Sequence, residues 1–437
     1  MEKIKISKEL LTFIEKSSSV FHAVKSLSDI LLENNFIALD ENQKWNLEEG
    51  KSYFVTRNQS SIIAFKYSKK DYNGFNIIAS HSDSPCFKIK DNFDIKVRNS
   101  YTKLNVEKYG GMIMSTWFDR ALSVAGRVII NTKTGLESKL VNIDKDLLII
   151  PNLAIHAMRD HNDNRSINPQ IEMLPLLGDE NADLLEIISK HLSVNKDDIS
   201  SHELCLYPRE KGRFIGANDE FILSPKLDDL QCAFTSIKSL CSAKNSQRIC
   251  LAVVLDNEEV GSRTKQGADS TFLYDTLSRI SSYSNKNYED YTVTIANSIL
   301  VSADNAHALH PNYADKSDST NVNFINGGPV IKINANQSYS TDAITASIFK
   351  KVCDNANVPY QVFHNRSDLP CGGTLGNIST SHVSISSVDI GIPQFAMHSA
   401  VETAGSKDTF YAYKAFESFY NTQFNIKGNT IEMKLGD

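Results

Sequence analysis

Residues 249–262 read ICLAVVLDNEEVGS, and this stretch decides the fold. Its first seven residues are an unbroken apolar run, the pattern of a strand buried on both faces of a parallel sheet. The run ends abruptly at Asp256-Asn257-Glu258-Glu259, followed by Val260-Gly261-Ser262. Packing gives no reason for two adjacent carboxylates just past a buried strand. If they are functional, their partners belong at the ends of other strands.

Working outward, other segments repeat that layout. Residues 75–79, FNIIA, form a buried strand that runs into Ser80-His81-Ser82-Asp83-Ser84-Pro85. On an extended chain residues i and i+2 share a face, so His81 can ligate a metal while Asp83 orients its ring. A strand at 298–301 is followed by Ser302-Ala303-Asp304, and a short one at 394–397 by His398. Ser224–Leu230, SPKLDDL, opens a helix running to about residue 241, with Leu230, Phe234, Ile237 and Leu240 as its buried stripe. Asp228 and Asp229 stand at its start, where capping and the helix dipole account for one carboxylate but not for two.

The remaining elements follow from periodicity and turn chemistry. Two helices are expected within residues 7–34, with Ser17-Ser18-Ser19 capping the second. An antiparallel pair is expected at 53–56 and 61–67, and further strands at 329–333, 360–363 and 383–390. Helices are expected near 270–282, at 341–352 and, closing the chain, around 408–421. From about residue 87 to 218 the pattern changes to short strand-like pieces broken by Asn, Asp, Gly and Lys, as in a small β-rich insertion. Within it residues 155–168, IHAMRDHNDNRSIN, make a long polar loop of the kind that often carries function.

A chain of 437 residues favours two domains over one. Hydrophobic content of 41% and charged content of 22% describe a globular protein. No run of about 18 apolar residues is present, and the opening MEKIKISKELLTFIEK has no apolar core of an export signal. A net charge of -6 gives no reason to expect nucleic-acid or membrane partners. The seven cysteines are scattered and form no CxxC, which fits reduced thiols in a cytoplasmic protein. Histidines and carboxylates are therefore the candidate ligands.

His81, the Glu258/Glu259 pair, Asp304 and His398 each follow a strand, and Asp228 begins a helix. Open α/β sheets bind ligands beyond the carboxyl ends of their strands. Imidazoles and carboxylates without thiolates suit zinc or a similar divalent ion, with cobalt and manganese as competitors. Two ions about 3.5–4 Å apart need a bridging carboxylate. Adjacent glutamates on an irregular turn can diverge, one ligating while the other stays free as a base.

The series HSDSP at 81–85, SPKLDDL at 224–230, LDNEEVGS at 255–262, SADNAHALHPNY at 302–313, GGPVIKINANQ at 327–337 and MHSAVETAG at 397–405 spans nearly the whole chain. In this order it resembles the M18 metallo-aminopeptidases, the aspartyl aminopeptidase-like branch of the co-catalytic zinc peptidases. The resemblance implies a three-layer α/β catalytic domain with a mixed, largely parallel sheet, formed by residues 1–90 and 219–437. It implies an inserted β-rich dimerisation domain at 91–218, with dimers assembling into a dodecamer. His81 and Asp304 would hold one zinc, Glu259 and His398 the other, and Asp228 would bridge both. Glu258 would be the general base acting on a metal-bridged hydroxide, and Asp83 would orient His81. Where the family usually reads Leu-Asp-Asn, this chain has Leu227-Asp228-Asp229, a departure conservative in shape.

The same resemblance places His156 near an active site, its own or a partner subunit's, and Lys332 near the substrate pocket. A cation there leans the substrate towards peptides with a free, acidic N-terminal residue. Broad or neutral/hydrophobic specificity is the alternative. Two rivals remain: a carboxypeptidase or deacylase, which would need an arginine at a strand end, and an assembly or cargo protein with a vestigial metal site, which would need no free base.

Overall fold

The computed structural model describes residues 2–163, 165–244, 247–428 and 430–435. The anchoring run is the strand Ile249–Leu255, with all seven residues buried. It lies fourth in a nine-stranded sheet. Listing the strands from one edge to the other, the order is Ile37–Leu39, Lys51–Arg57, Ser61–Tyr67, Ile249–Leu255, Phe75–His81, Ile299–Ala303, Ser386–Gly391, Val330–Ile333 and Gln361–His364. Pairing is antiparallel where Lys51–Arg57 meets Ser61–Tyr67, where Ser61–Tyr67 meets Ile249–Leu255, and where Val330–Ile333 meets Ser386–Gly391; the other contacts are parallel.

Helices cover both faces, which explains why the central strands read as continuous apolar runs. Ala252 and Val254 pack with Leu27, Leu230, Phe349 and Phe416 on one side. Leu251, Val253 and Leu255 pack with Phe272, Leu277 and Leu375 on the other. Each of the larger side chains among them contributes on the order of 2 kcal/mol through apolar burial. The result is a three-layer α/β unit, as expected.

Register decides where the polar tails go. Leu255 pairs with His81, and Ser302 with Ala79, so three parallel strands end side by side. His81, residues 256–259 and Asp304 therefore emerge together at the carboxyl ends of the central strands.

A second, six-stranded sheet is antiparallel throughout, in the order Gly135–Asn142, Leu122–Thr132, Ile199–Pro208, Cys86–Val97, Tyr101–Tyr109 and Leu176–Asp179. It has its own core around Phe87, Leu104, Trp117, Val124 and Leu206. A five-stranded sheet then pairs Phe221–Ser224 with Glu402–Gly405, drawing the start of the 227 helix towards His398.

Several local expectations change. Ser19 occupies the N-cap of Val20–Glu33 but caps nothing with its side chain; its Oγ pairs with His22 Nδ1 at 2.8 Å instead. Asp228 has non-helical dihedrals at a kink, φ -82° and ψ 112°, and does not act as a cap. The strand expected at 383–390 begins at Ser386, because Leu375–His382 is a helix. A hairpin, Gln423–Lys427 with Thr430–Lys434, follows the 408–421 helix.

Candidate metal centre

His81 ends its strand nearly fully buried, at 1% exposure. Its Nδ1 faces the Asp83 carbonyl at 3.1 Å and Asp83 Oδ1 at 3.4 Å, and its Nε2 lies 3.5 Å from Asp228 Oδ1. The Asp83 carboxylate also gathers the loop after Ile249–Leu255, accepting the Glu258 N–H on one oxygen and the Glu259 N–H on the other, at 3.1 and 3.2 Å. Asn257, with φ 65°, turns the chain into the short 3-10 turn Glu258–Val260. That turn lets the neighbouring glutamates diverge.

His398 Nε2 lies 3.3 Å from Asp228 Oδ2 and 3.3 Å from Glu259 Oε2. His398 adopts φ 68°, a left-handed conformation uncommon for a side-chain-bearing residue. Glu402 secures it by accepting the His398 N–H at 2.7 Å, and its other oxygen accepts the Asp228 N–H at 3.0 Å. Glu402 stands in the MHSAVETAG stretch, yet its role depends on a contact with residue 228 that local sequence does not reveal.

Two groups of donors result. Ligand atoms of His81, Asp228, Asp229 and Asp304 all lie within 4.8 Å of one another, as do those of Asp228, Glu259 and His398. Asp229 is an addition to the expected set; its Oδ2 accepts the His81 N–H at 3.1 Å. The donors fit divalent ions. Asp228 Oδ1 and Glu259 Oε1 are buried and accept no hydrogen bond, an arrangement that costs free energy unless a cation faces them. Carboxylates also outnumber imidazoles, leaving negative charge for a cation to balance, and the imidazole–carboxylate set suits zinc.

The electrostatics express the same crowding. Burial pushes the Glu258 carboxyl up to about 7; His81 opposes this, while Asp304, Asp83 and Asp228 reinforce it. Burial likewise raises Asp304 to about 6, against the pull of Lys332. Burial alone would depress His398, but Asp228 and Glu259 hold it at about 10. Burial would raise Asp83, but hydrogen bonds from His81, Tyr109 and the Glu259 N–H keep it below the usual carboxylate range.

His81, Asp228, Glu258, Glu259, Asp304 and His398 line one cavity of about 740 Å³. Lys332 lines it too, but is only 4% exposed; its Nζ donates to the Asn305 carbonyl at 2.8 Å and lies 3.8 Å from Asp304 Oδ2. His156 is exposed on the polar loop and does not line this cavity.

A helix-flanked sheet with converging imidazoles and carboxylates at its strand ends belongs to the metallohydrolase class. The sequence model of the M18 family, aminopeptidase I zinc metalloproteases, matches residues 13–420. A probable M18 family aminopeptidase 2 of Clostridium novyi is 46% identical over 429 residues, covering 96% of this chain and 99% of that protein. Among solved structures, Ape4 in a complex with Nbr1 superimposes with a TM-score of 0.93 at 38% identity, covering 96% of this chain and 86% of Ape4. The yeast mApe1 dodecamer gives 0.84 at 26% identity, with coverage of 96% and 97%. The chain belongs to the M18 family and is a metallo-aminopeptidase, a hydrolase of peptide bonds.

Proposed function

We propose that the chain removes the N-terminal residue from peptides at a two-metal centre. The observation that carries this reading is Asp228, shared by two donor groups, with Glu258 entering the same cavity from outside both. His81 and Asp304 would hold one ion, Glu259 and His398 the other, with Asp228 available to both. Zinc is the reading favoured by the donors, ahead of cobalt and manganese. Such ions supply Lewis-acid polarisation of a peptide carbonyl and acidify the attacking water.

The protein's own part is proton handling and orientation. Glu258, raised by burial to about 7, is suited to take a proton from the attacking water near neutrality and pass it to the leaving amine. Asp83 fixes the His81 ring and, through the two backbone N–H groups, the glutamate turn. The surplus of carboxylates receives a free α-amino group, which restricts cleavage to the first residue. Comparing a free peptide with its N-acetylated form, alongside metal analysis, tests this; equal cleavage of the two would exclude an aminopeptidase.

For the side chain of that residue we propose acidic groups, on the ground that Lys332, Lys316 and Arg366 line the cavity. The engaged Nζ of Lys332 favours a part in holding Asp304 over direct capture of substrate. Phe363, Phe395 and Met397 support the alternative, a neutral or hydrophobic preference. The nine-stranded sheet with its helices would be the catalytic unit and the inserted segment a dimerisation unit; the boundary expected at 90/91 falls inside strand Cys86–Val97, so the insertion begins at about residue 86. The likeness to the mApe1 dodecamer supports higher assembly, in which the exposed His156 acts at a partner's site. Seven free cysteines support a cytoplasmic setting.

A further inference from the structure

The six-stranded sheet borders the candidate centre, and the segment that meets the supports of both histidines is residues 109–113. Strand Tyr101–Tyr109 ends there, and the Tyr109 hydroxyl donates to Asp83 Oδ2 at 2.5 Å while accepting from Asn257 Nδ2 at 2.9 Å. All three side chains are buried. Gly110 follows with φ 77°, and a Cβ there would stand 3.1 Å from Glu259 Cβ, so glycine permits this approach. The Gly111 carbonyl then accepts the His398 Nδ1–H at 2.7 Å, and the Ile113 N–H donates to the His398 carbonyl at 3.0 Å.

Both imidazoles are thus steered from the same place. A proton on His398 Nδ1, held by Gly111, leaves Nε2 as the nitrogen facing Asp228 and Glu259. His81 is oriented by Asp83, and Tyr109 supplies one of the side-chain and backbone donors that fix that carboxylate. Outer partners of ligating histidines set ring orientation and basicity, and their loss typically costs about 10–100-fold in metal affinity or activity.

We propose that residues 109–113 form a strap by which the inserted sheet orients both metal-binding histidines, with Tyr109 as a positioning residue acting through Asp83. The proposal rests on the two-metal reading above. It predicts that the strap governs metal retention, separately from any role of that sheet in assembly.

The test uses the full chain loaded with zinc and challenged with a chromogenic chelator. Tyr109→Phe should speed release of one of two zinc equivalents by about 10-fold, with the thermal stability of the metal-free protein little changed. Asp83→Asn should be faster still, and the double variant no faster than Asp83→Asn, because residues acting in series do not add. Asn257→Gly, which removes the other polar contact of the hydroxyl and suits the left-handed φ there, gives a second and smaller readout if Tyr109→Phe fails to fold. Wild-type release by Tyr109→Phe while Asp83→Asn is accelerated would overturn the strap alone, as would additivity in the double variant. No effect of Asp83→Asn would sink the His81 assignment and the strap with it.

Discussion

His398 Nε2 lies 3.3 Å from Asp228 Oδ2, while the other oxygen of that carboxylate faces His81. One side chain thus divides two histidines that come from distant parts of the chain. Removing the divider and removing one flank should have different consequences. Asp228→Asn is expected to lose both metal equivalents, whereas His398→Ala loses one. Elemental analysis after gel filtration distinguishes these, and equal losses would refute the shared role.

Glu258 and Glu259 differ in the same assay. Glu259 has a buried oxygen without a hydrogen bond and lies beside His398; Glu258 lies in the cavity outside both donor groups. Glu258→Gln should retain both metals and lose about 10²–10⁴-fold in kcat. Full turnover by this variant would remove Glu258 as the base.

Asp229 presents a carboxylate where the family usually has an amide, and burial raises it well above the ordinary range. One oxygen is buried without a hydrogen bond, and the residue stands in the His81 donor group. The other oxygen accepts the His81 N–H, which an amide oxygen performs equally well. Asp229→Asn is therefore expected to keep both metals and kcat/KM within about 3-fold, a small-substitution effect of under about 1 kcal/mol. Loss of a metal equivalent would instead make Asp229 a ligand.

Side-chain preference is decided by rates on Asp-, Glu- and Leu-anilides. An acidic preference should raise kcat/KM for the first two by about 10-fold, the scale of one modest charge contact. Equal rates, or a faster Leu substrate, would leave the apolar wall of Phe363, Phe395 and Met397 as the determinant.

His22 offers a pH test away from the metals. Burial, then the charge of Lys226, lowers it to about 4. Between that value and the ordinary 6.5 the unfolded chain binds a proton that the folded chain refuses. Stability from this group is therefore complete above pH 6.5 and falls as pH drops towards 4. The loss is roughly 2 kcal/mol after allowing for partial exposure. Raised carboxyls such as Glu258 and Asp304 give metal-free protein a slope of opposite sign. The test is therefore the difference in urea-unfolding stability between wild type and His22→Gln, which should shift by this amount between pH 6.5 and 4.

Sequence made much of this centre legible for a physical reason. Strands buried on both faces have few polar residues, so His81, Glu258, Glu259 and Asp304 stand out where the apolar runs stop. Tyr109, Gly111 and Glu402 were hidden because each acts across a tertiary contact with no local spacing to mark it. The helix Leu375–His382 leaves little mark in the sequence, because LGNISTSH is rich in poor helix formers and has little apolar stripe. Asp228 was readable as more than a cap only through company, and its kinked backbone shows that it caps nothing.

The order of the donors along the chain has a further consequence, for biosynthesis. His81 emerges from the ribosome early and His398 late, with the six-stranded sheet, Asp228, Glu259 and Asp304 synthesised between them. The β-rich segment can fold on its own core while the nine-stranded sheet still lacks Ile299–Ala303 and Ser386–Gly391. On the two-metal reading, the donors of the His81 site are complete once Asp304 has been made, whereas the site of Glu259 waits for His398 and is the last to be completed.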